Sequence, residues 1–320
     1  MKVLKKEKQK SRIYFNKKCG DFMKILITGV YGVVGSFLCE KLRDKHEIIG
    51  IGRKENFKLC QTYYSCDITD RERLEAIIRE NDDLDFIIHC AALAHNKGND
   101  LSYDKFMKVN FEATKYLIDL SNKYLKLKDF IFISTISVYG ERIDKSSYIE
   151  EDSCYPRSPY AKAKKKSEDY IIDNYKGKYS ILRLTPVYSE NFLLNIERRT
   201  NIKGITYKVG KGDNKLSLCN IKNIYEVVNY LVNNYSSEGN EIYNIADKLE
   251  YKFTDLINIT NKKKVLTIPK ICIKSLYTLN SITIKKQFIH ENSIKLISDN
   301  LYSSKKINDK VDLKYTIKDV

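Results

Sequence analysis

Tryptophan is absent from this 320-residue chain, and proline and histidine occur only four times each. So little proline excludes a collagen-like or proline-rich chain, and 42% hydrophobic residues beside 31% charged ones exclude an intrinsically disordered one. No run of eighteen apolar residues lacks a charge, so a membrane-spanning helix is not expected. The first residues lack the apolar stretch and small-residue cleavage site of a secretory leader, and a cytoplasmic protein without a membrane partner is expected. Cysteines at 19, 39, 60, 66, 90, 154, 219 and 272 form no C-x-x-C pair. With only His46, His89, His95 and His290 to join them, no metal site is expected, and the thiols should be reduced and mostly buried. The chain is long enough to bury a large core without such staples.

What the chain has in excess is positive charge, a formal +16. Residues 1–22 hold seven Lys and Arg12 against Glu7 and Asp21, more than a third of that excess, in a stretch without hydrophobic patterning. The remainder is scattered through a Lys-, Asn- and Ile-rich chain and forms no stripe, so no nucleic-acid partner is expected. Residues 1–22 read as a basic, disordered extension.

From Met23 the pattern changes. Lys24 to Thr28 is a short apolar run ending in glycines, as a buried parallel strand would be. Further strands are expected at His46–Ile51, Asp85–His89, Asp129–Ser134 and Tyr179–Leu184. Helices with inward apolar spacing are expected between them, at Arg71–Glu80, Val109–Tyr124 and Ser158–Asn174. Strands alternating with helices predict an α/β fold, a Rossmann-type doubly wound parallel sheet over 23–188. Residues 189–320 predict a smaller α/β lobe that binds substrate and returns some elements to the first core; 261–320 carry the weakest signal.

The run Thr28-Gly29-Val30-Tyr31-Gly32-Val33-Val34-Gly35 joins the first strand to the first helix. Its glycines permit a tight turn and close approach of a pyrophosphate, which the free N–H groups of the helix start would hold. Strand two ends in Gly52-Arg53-Lys54 without a carboxylate, which favours NADP over NAD because Arg accommodates a 2′-phosphate. Asp67, before Ile68, either bonds the adenine or caps the following helix. Tyr160 and Lys164, four apart, share a helix face, where an ammonium can lower a phenol's pKa and make an acid/base. Five of the 24 tyrosines have Lys at that spacing, but only Tyr160 opens a clear helix, 25 residues beyond Thr135 at the mouth of a sheet strand.

Together these motifs resemble the extended short-chain dehydrogenase/reductases, in particular the NAD-dependent epimerase/dehydratase group that acts on nucleotide sugars. The resemblance runs from about Met23 onward. It is carried by Thr28–Gly35, Asp67-Ile68, His89–Ala94, Val109-Asn110, Ser134–Gly140, Tyr160–Lys164 and Leu182–Tyr188, and more loosely by Val209–Gly212 and Glu241–Ala246. It implies that Tyr160 exchanges a proton with the sugar oxygen, that Thr135 hydrogen-bonds the same oxygen, and that Lys164 holds the nicotinamide ribose while lowering the Tyr160 pKa. Val33, Val34, Ala91, Ala92, Asn110 and Val187 would line the cofactor. A homodimer is likewise implied.

Departures narrow the reading. Dehydratases of this group place Asp-Glu after the Thr, where this chain has Ile136 and Ser137, which disfavours dehydration. Epimerases carry a phosphate-binding Arg where Leu216 aligns; neighbouring Lys215, a point charge and not a fork, and Asn191 are the substrate-side candidates. His89, Cys90 and His95 read as packing residues. The expected activity is epimerisation or 4-keto reduction at C4 of a nucleoside-diphosphate sugar, in surface-polysaccharide precursor synthesis. The competing class is a non-catalytic dinucleotide-binding sensor or scaffold on the same fold.

Overall fold

The computed structural model describes residues 22–94, 102–259 and 264–320. The expected extension at 1–22, apart from Phe22, and His95 lie outside them.

Seven apolar segments form one wholly parallel sheet: β1 (Lys24–Thr28), β2 (Glu47–Gly52), β3 (Thr62–Ser65), β4 (Phe86–His89), β5 (Asp129–Thr135), β6 (Tyr179–Leu184) and β7 (Glu241–Ile245). Their spatial order is β7-β6-β5-β4-β1-β2-β3. All five residues of β1 are buried, because helices cover both faces of the sheet. The faces divide by strand alternation. Ile25, Ile27, Ile48, Phe86 and Ile88 point toward helices α1 (Val33–Leu42) and α5 (Ile221–Asn233). Leu26, Ile49, Ile87, Phe130 and Phe132 point toward α2 (Arg71–Glu80), α3 (Ala113–Tyr124) and α4 (Pro159–Asn174). The α/β doubly wound expectation holds, and α5, from the second half of the chain, returns to the first core.

The smaller lobe packs around Tyr188, Ile196, Leu216, Leu218, Tyr251, Phe253 and Leu256. It carries a three-stranded sheet of Asn201–Ile202, Ile205–Val209 and Leu266–Ile268. A helix pair follows, α6 (Lys270–Leu279) and α7 (Gln287–Ile297).

One charged network lies inside the fold. Arg183 on β6 donates from Nη2 to Glu168 Oε2 of α4 at 2.8 Å, and both side chains are almost wholly buried. Ser134 on β5 donates to Glu168 Oε1, and Arg183 Nη1 donates to the Tyr139 hydroxyl at 2.9 Å. Tyr139 in turn donates to Asn244 on β7 at 2.8 Å. Removing one partner of a buried pair leaves an uncompensated charge, whereas replacing both leaves none. Arg183→Met or Glu168→Leu is therefore expected to cost about 3–5 kcal/mol of unfolding free energy. In urea titrations the double variant should lose markedly less than the two single losses combined.

Candidate active site

The glycine turn sits at the carboxyl end of β1, between β2 and β4, where the strand order reverses and an open α/β sheet leaves its crevice. Gly29 has φ of 72°, and a Cβ there would meet Ala91 backbone atoms at 2.7 Å. A Cβ on Gly35 would lie 2.4 Å from the Gly29 carbonyl oxygen, so the absent side chain is what lets α1 start against the turn. Gly32 is the N-cap of α1 and accepts the first helical bond, from Ser36. The N–H groups of Val33, Val34 and Gly35 precede that bond and have no partner within the helix, and no acidic residue occupies the first turn. This cradle fits a dinucleotide pyrophosphate by backbone donors, helix dipole and lack of a competing carboxylate.

Toward the adenosine end, Tyr31, Phe57 and Tyr63 cluster, with Tyr31 and Phe57 centroids 5.0 Å apart. Arg53 is exposed, while Lys54 lies over the Tyr31 ring at 4.7 Å. Of the two cations that end this strand, Lys54 is thus occupied with an aromatic face. Asp67 is exposed and accepts from both the N–H and the hydroxyl of Thr69, at 2.9 and 2.8 Å. It shapes the turn, but the helix cap is Asp70. A cavity of about 450 Å³ opens beside Ile68, lined also by Thr69, Arg71, Asp104, Lys108 and Tyr116; it excludes Thr135, Tyr160 and Lys164. Those three residues lie elsewhere, at the end of β5 and in the first turns of α4.

Asn110, fully buried in a π-helical turn (Met107–Glu112), spends its carboxamide on one backbone residue. Its Oδ1 accepts from Leu93 N–H at 2.7 Å and its Nδ2 donates to Leu93 O at 3.0 Å. Asn110 was expected to line the cofactor; its carboxamide holds Leu93, in the loop that contains Ala91 and Ala92. The widened turn leaves the Asn110 carbonyl to accept from Thr114 and Ser167.

His89 orders this wall from beneath. Its Nδ1 lies 2.7 Å from Thr28 Oγ1, which also accepts from Ala91 N–H, and its Nε2 lies 2.9 Å from Thr114 Oγ1. Thr114 gives its own proton to Asn110 O, so the ring must donate from Nε2 and accept at Nδ1 from Thr28. This is a neutral imidazole. Burial, aided by the Lys164 charge, drives its pKa down to about 3. The reading of His89 as a packing residue is extended to one that positions the glycine turn and the Ala91 loop together.

At the end of β5, Thr135 caps the 3-10 turn Ile136–Tyr139 by accepting from Ser137 N–H at 3.2 Å. Ser158 caps α4 and Pro159 opens it, which starts the helix so that Tyr160 lies in its first turn. Burial pushes the Tyr160 phenol up to about 12, and the nearby Thr135 hydroxyl draws it partly back. Lys164, one turn on, is buried and donates to Ile133 O at 2.7 Å, with its ammonium 4.3 Å from the Phe132 ring centre. Burial lowers Lys164 to about 8, against the opposing pull of Cys90 and Glu168. Thr135, Tyr160 and Lys164 are thus brought together, but the expected pull of Lys164 on the phenol is not among the influences on it here. Ile136 is in the core and Ser137 is neutral, so no carboxylate follows Thr135.

The substrate side is less as expected. Val187 is half-buried, and its carbonyl accepts from Asn195 Nδ2 at 2.8 Å. Asn191 lies exposed in the Ser189–Phe192 turn. Lys215 is exposed and paired with Glu250 at 2.7 Å, so the cation expected at a diphosphate already has a carboxylate. Leu216 is core. Arg199 is a further cation of this lobe. It donates to Asn195 O at 2.8 Å, pairs with no carboxylate among the described residues, and has its pKa lowered by burial, with Tyr302 and Glu141 opposing. Its one sequence signal is an Arg on the short helix Leu194–Thr200, which no motif marks.

The family model for the NAD dependent epimerase/dehydratase family matches residues 25–246. A dTDP-D-glucose 4,6-dehydratase of Dictyostelium discoideum is 28% identical over 77% of this chain and 62% of its own length. An uncharacterized UDP-glucose epimerase, YtcB, of Bacillus subtilis is 33% identical over 52% and 57%. The chain thus spans about three fifths of the length of these two relatives. Among solved structures, a UDP-glucose 4-epimerase of Thermotoga maritima with UDP-glucose superposes with a TM-score of 0.71 at 23% identity, covering 93% of this chain and 96% of that one. A UDP-glucuronic acid 4-epimerase of Bacillus cereus in complex with NAD gives 0.68 at 21%, covering 92% of each.

The neutral His89 makes a testable difference. Its folded pKa lies below the unfolded value of 6.5, so its contribution to stability is whole above pH 6.5 and is lost as pH falls from there toward about 3. Between neutrality and about pH 4.5 the wild-type chain should lose about 2–3 kcal/mol more unfolding free energy than His89→Asn. Urea titrations at the two pH values measure this.

Proposed function

Because the chain belongs to the NAD dependent epimerase/dehydratase family, we propose that it is an NAD(P)-dependent enzyme acting at C4 of a nucleoside-diphosphate sugar, by epimerisation or by 4-keto reduction. The observation that carries this is the position of Tyr160 in the first turn of α4, one turn before buried Lys164, which donates to Ile133 O of β5, the strand that ends at Thr135. The bound nicotinamide would supply or accept the hydride. Thr135 orients the sugar oxygen toward Tyr160, and a phenol held near 12 is protonated at neutral pH. It therefore stands ready to give its proton to a ketone oxygen, which suits reduction directly. Running the reverse proton transfer requires the phenol to be lowered, the task assigned to Lys164 one turn along the same helix. The neutral Ile136 and Ser137 supply no second acid/base for removing water, which opposes dehydration although a dehydratase is among the relatives. NAD is the cofactor that the family description names; exposed Arg53 is the residue that would favour NADP. A role in surface-polysaccharide precursor synthesis goes with this reading.

Purified protein is incubated with UDP-, GDP- and dTDP-sugars and their 4-keto forms, with and without reduced cofactor, while nicotinamide absorbance and sugar products are followed. Absorbance loss on keto-sugars identifies a reductase, and sugar interconversion without it an epimerase. Cofactor binding with neither would return the chain to the sensor class. Tyr160→Phe should lower kcat by at least about a hundredfold with the cofactor Kd little changed. Arg199→Ala should raise KM for the sugar nucleotide about tenfold, and Lys215→Ala by less than about twofold, because Lys215 already has Glu250.

A further inference from the structure

The stretch with the weakest sequence signal presents a surface that the site does not use. Helix α6 packs through Ile273 and Tyr277, with buried Asn280 just beyond its end, and none of its ten residues is fully buried. At roughly 100° per residue, Ile271, Cys272, Leu276 and Leu279 fall within an arc of about 140° beside that packed stripe. They face solvent, Ile271 at 67% exposure. Every residue from Ser281 to Lys286 is exposed, so the connection to α7 forms a projecting tip. Ile282 there is 67% exposed, and Phe288, in the first turn of α7, is 78% exposed.

The tip is preformed. Buried Asn280 donates to Lys286 O at 3.1 Å and accepts from Lys286 N–H at 3.0 Å, and Lys285 adopts φ of 53° while its N–H bonds Asn280 O at 2.8 Å. Backbone groups paired in this way can enter a less polar environment without exposing unsatisfied donors.

Its charge is of one sign. Between Asp255 and Glu291 there is no Asp or Glu. Lys264, Lys274, Lys285 and Lys286 are exposed, and none pairs with a carboxylate among the described residues. A second copy would bring the same lysines against these, and residues 1–22 carry the same sign, so neither complements the patch. Projecting aliphatic and aromatic side chains ringed by cations are complementary to anionic lipid: the apolar groups enter below the headgroups while the lysines snorkel to the phosphates.

We infer that the α6–α7 hairpin docks the protein on an anionic membrane surface, with Ile271, Leu279, Ile282 and Phe288 inserted and Lys274, Lys285 and Lys286 against the headgroups. Among the described residues no helix is long and apolar enough to cross a membrane, so the contact is interfacial. The expectation of no membrane partner rested on the lack of a spanning segment, which does not bear on this mode.

The full chain should co-sediment with vesicles of phosphatidylcholine mixed with about one third phosphatidylglycerol, and at least about tenfold less with phosphatidylcholine alone. Lys274→Glu/Lys285→Glu/Lys286→Glu and, separately, Ile282→Ser/Phe288→Ser should each reduce that binding about tenfold or more, with thermal unfolding unchanged. Because the chain has no tryptophan, Phe288→Trp supplies a single reporter, whose emission should shift to the blue on adding the mixed vesicles. Absence of vesicle binding overturns the proposal. So does binding that the Ile282/Phe288 variant leaves intact, which would assign it to the basic residues 1–22. A blue shift produced by raising protein concentration or adding an acidic protein, without lipid, would mark a protein interface instead.

Discussion

The site depends on the buried pairing of Arg183 with Glu168. Glu168 stands one helical turn beyond Lys164, which stands one turn beyond Tyr160, so whatever fixes Glu168 fixes the azimuth of both of those side chains. Its carboxylate is held by Arg183 from β6 and Ser134 from β5, and Ser134 directly precedes Thr135. The same few atoms that neutralise a buried charge therefore bring Thr135 and Tyr160 into register. An apolar replacement could pack as well, but it would carry no directional information about how α4 lies on the sheet.

A second set of buried polar contacts does the same for the cofactor wall. Thr28, His89, Thr114 and Asn110 form a chain in which each proton has one place to go, linking the glycine turn, the end of β4 and the start of α3. A charged imidazole would reverse one of these bonds, and burial ensures that the ring stays neutral. The lowered pKa of Lys164 reflects the same dry setting, which would strengthen any charge developing on a nearby oxygen.

The parts of this legible in the sequence are those that leave local traces. The tight turn at Gly29 and Gly35 left a trace because backbone meets backbone there, and the strand-helix alternation read correctly because β1, β2, β4, β5 and β6 are buried on both faces. What depends on partners distant in sequence did not. Nothing local shows that Lys215 would meet Glu250, that Arg199 would lie half-buried without a carboxylate among the described residues, or that the Asn110 carboxamide would bond Leu93. Arg183 in the apolar run of β6 was a trace of the buried pair, since an arginine there needs a counter-charge, but its partner was not deducible. The segment after 261 resisted reading because α6 carries apolar residues on its packed side and on its exposed side alike, which erases a single-face period.

The clamp of Asn110 on Leu93 has a consequence for how such a chain tolerates change. Seventeen positions separate the two residues, yet the carboxamide fixes both the N–H and the C=O of Leu93. The loop bearing Ala91 and Ala92 is thereby anchored to helix and strand independently of the chain that runs between. A change at Asn110 is therefore felt seventeen positions upstream, since it releases both backbone groups of Leu93 and with them the wall at Ala91 and Ala92.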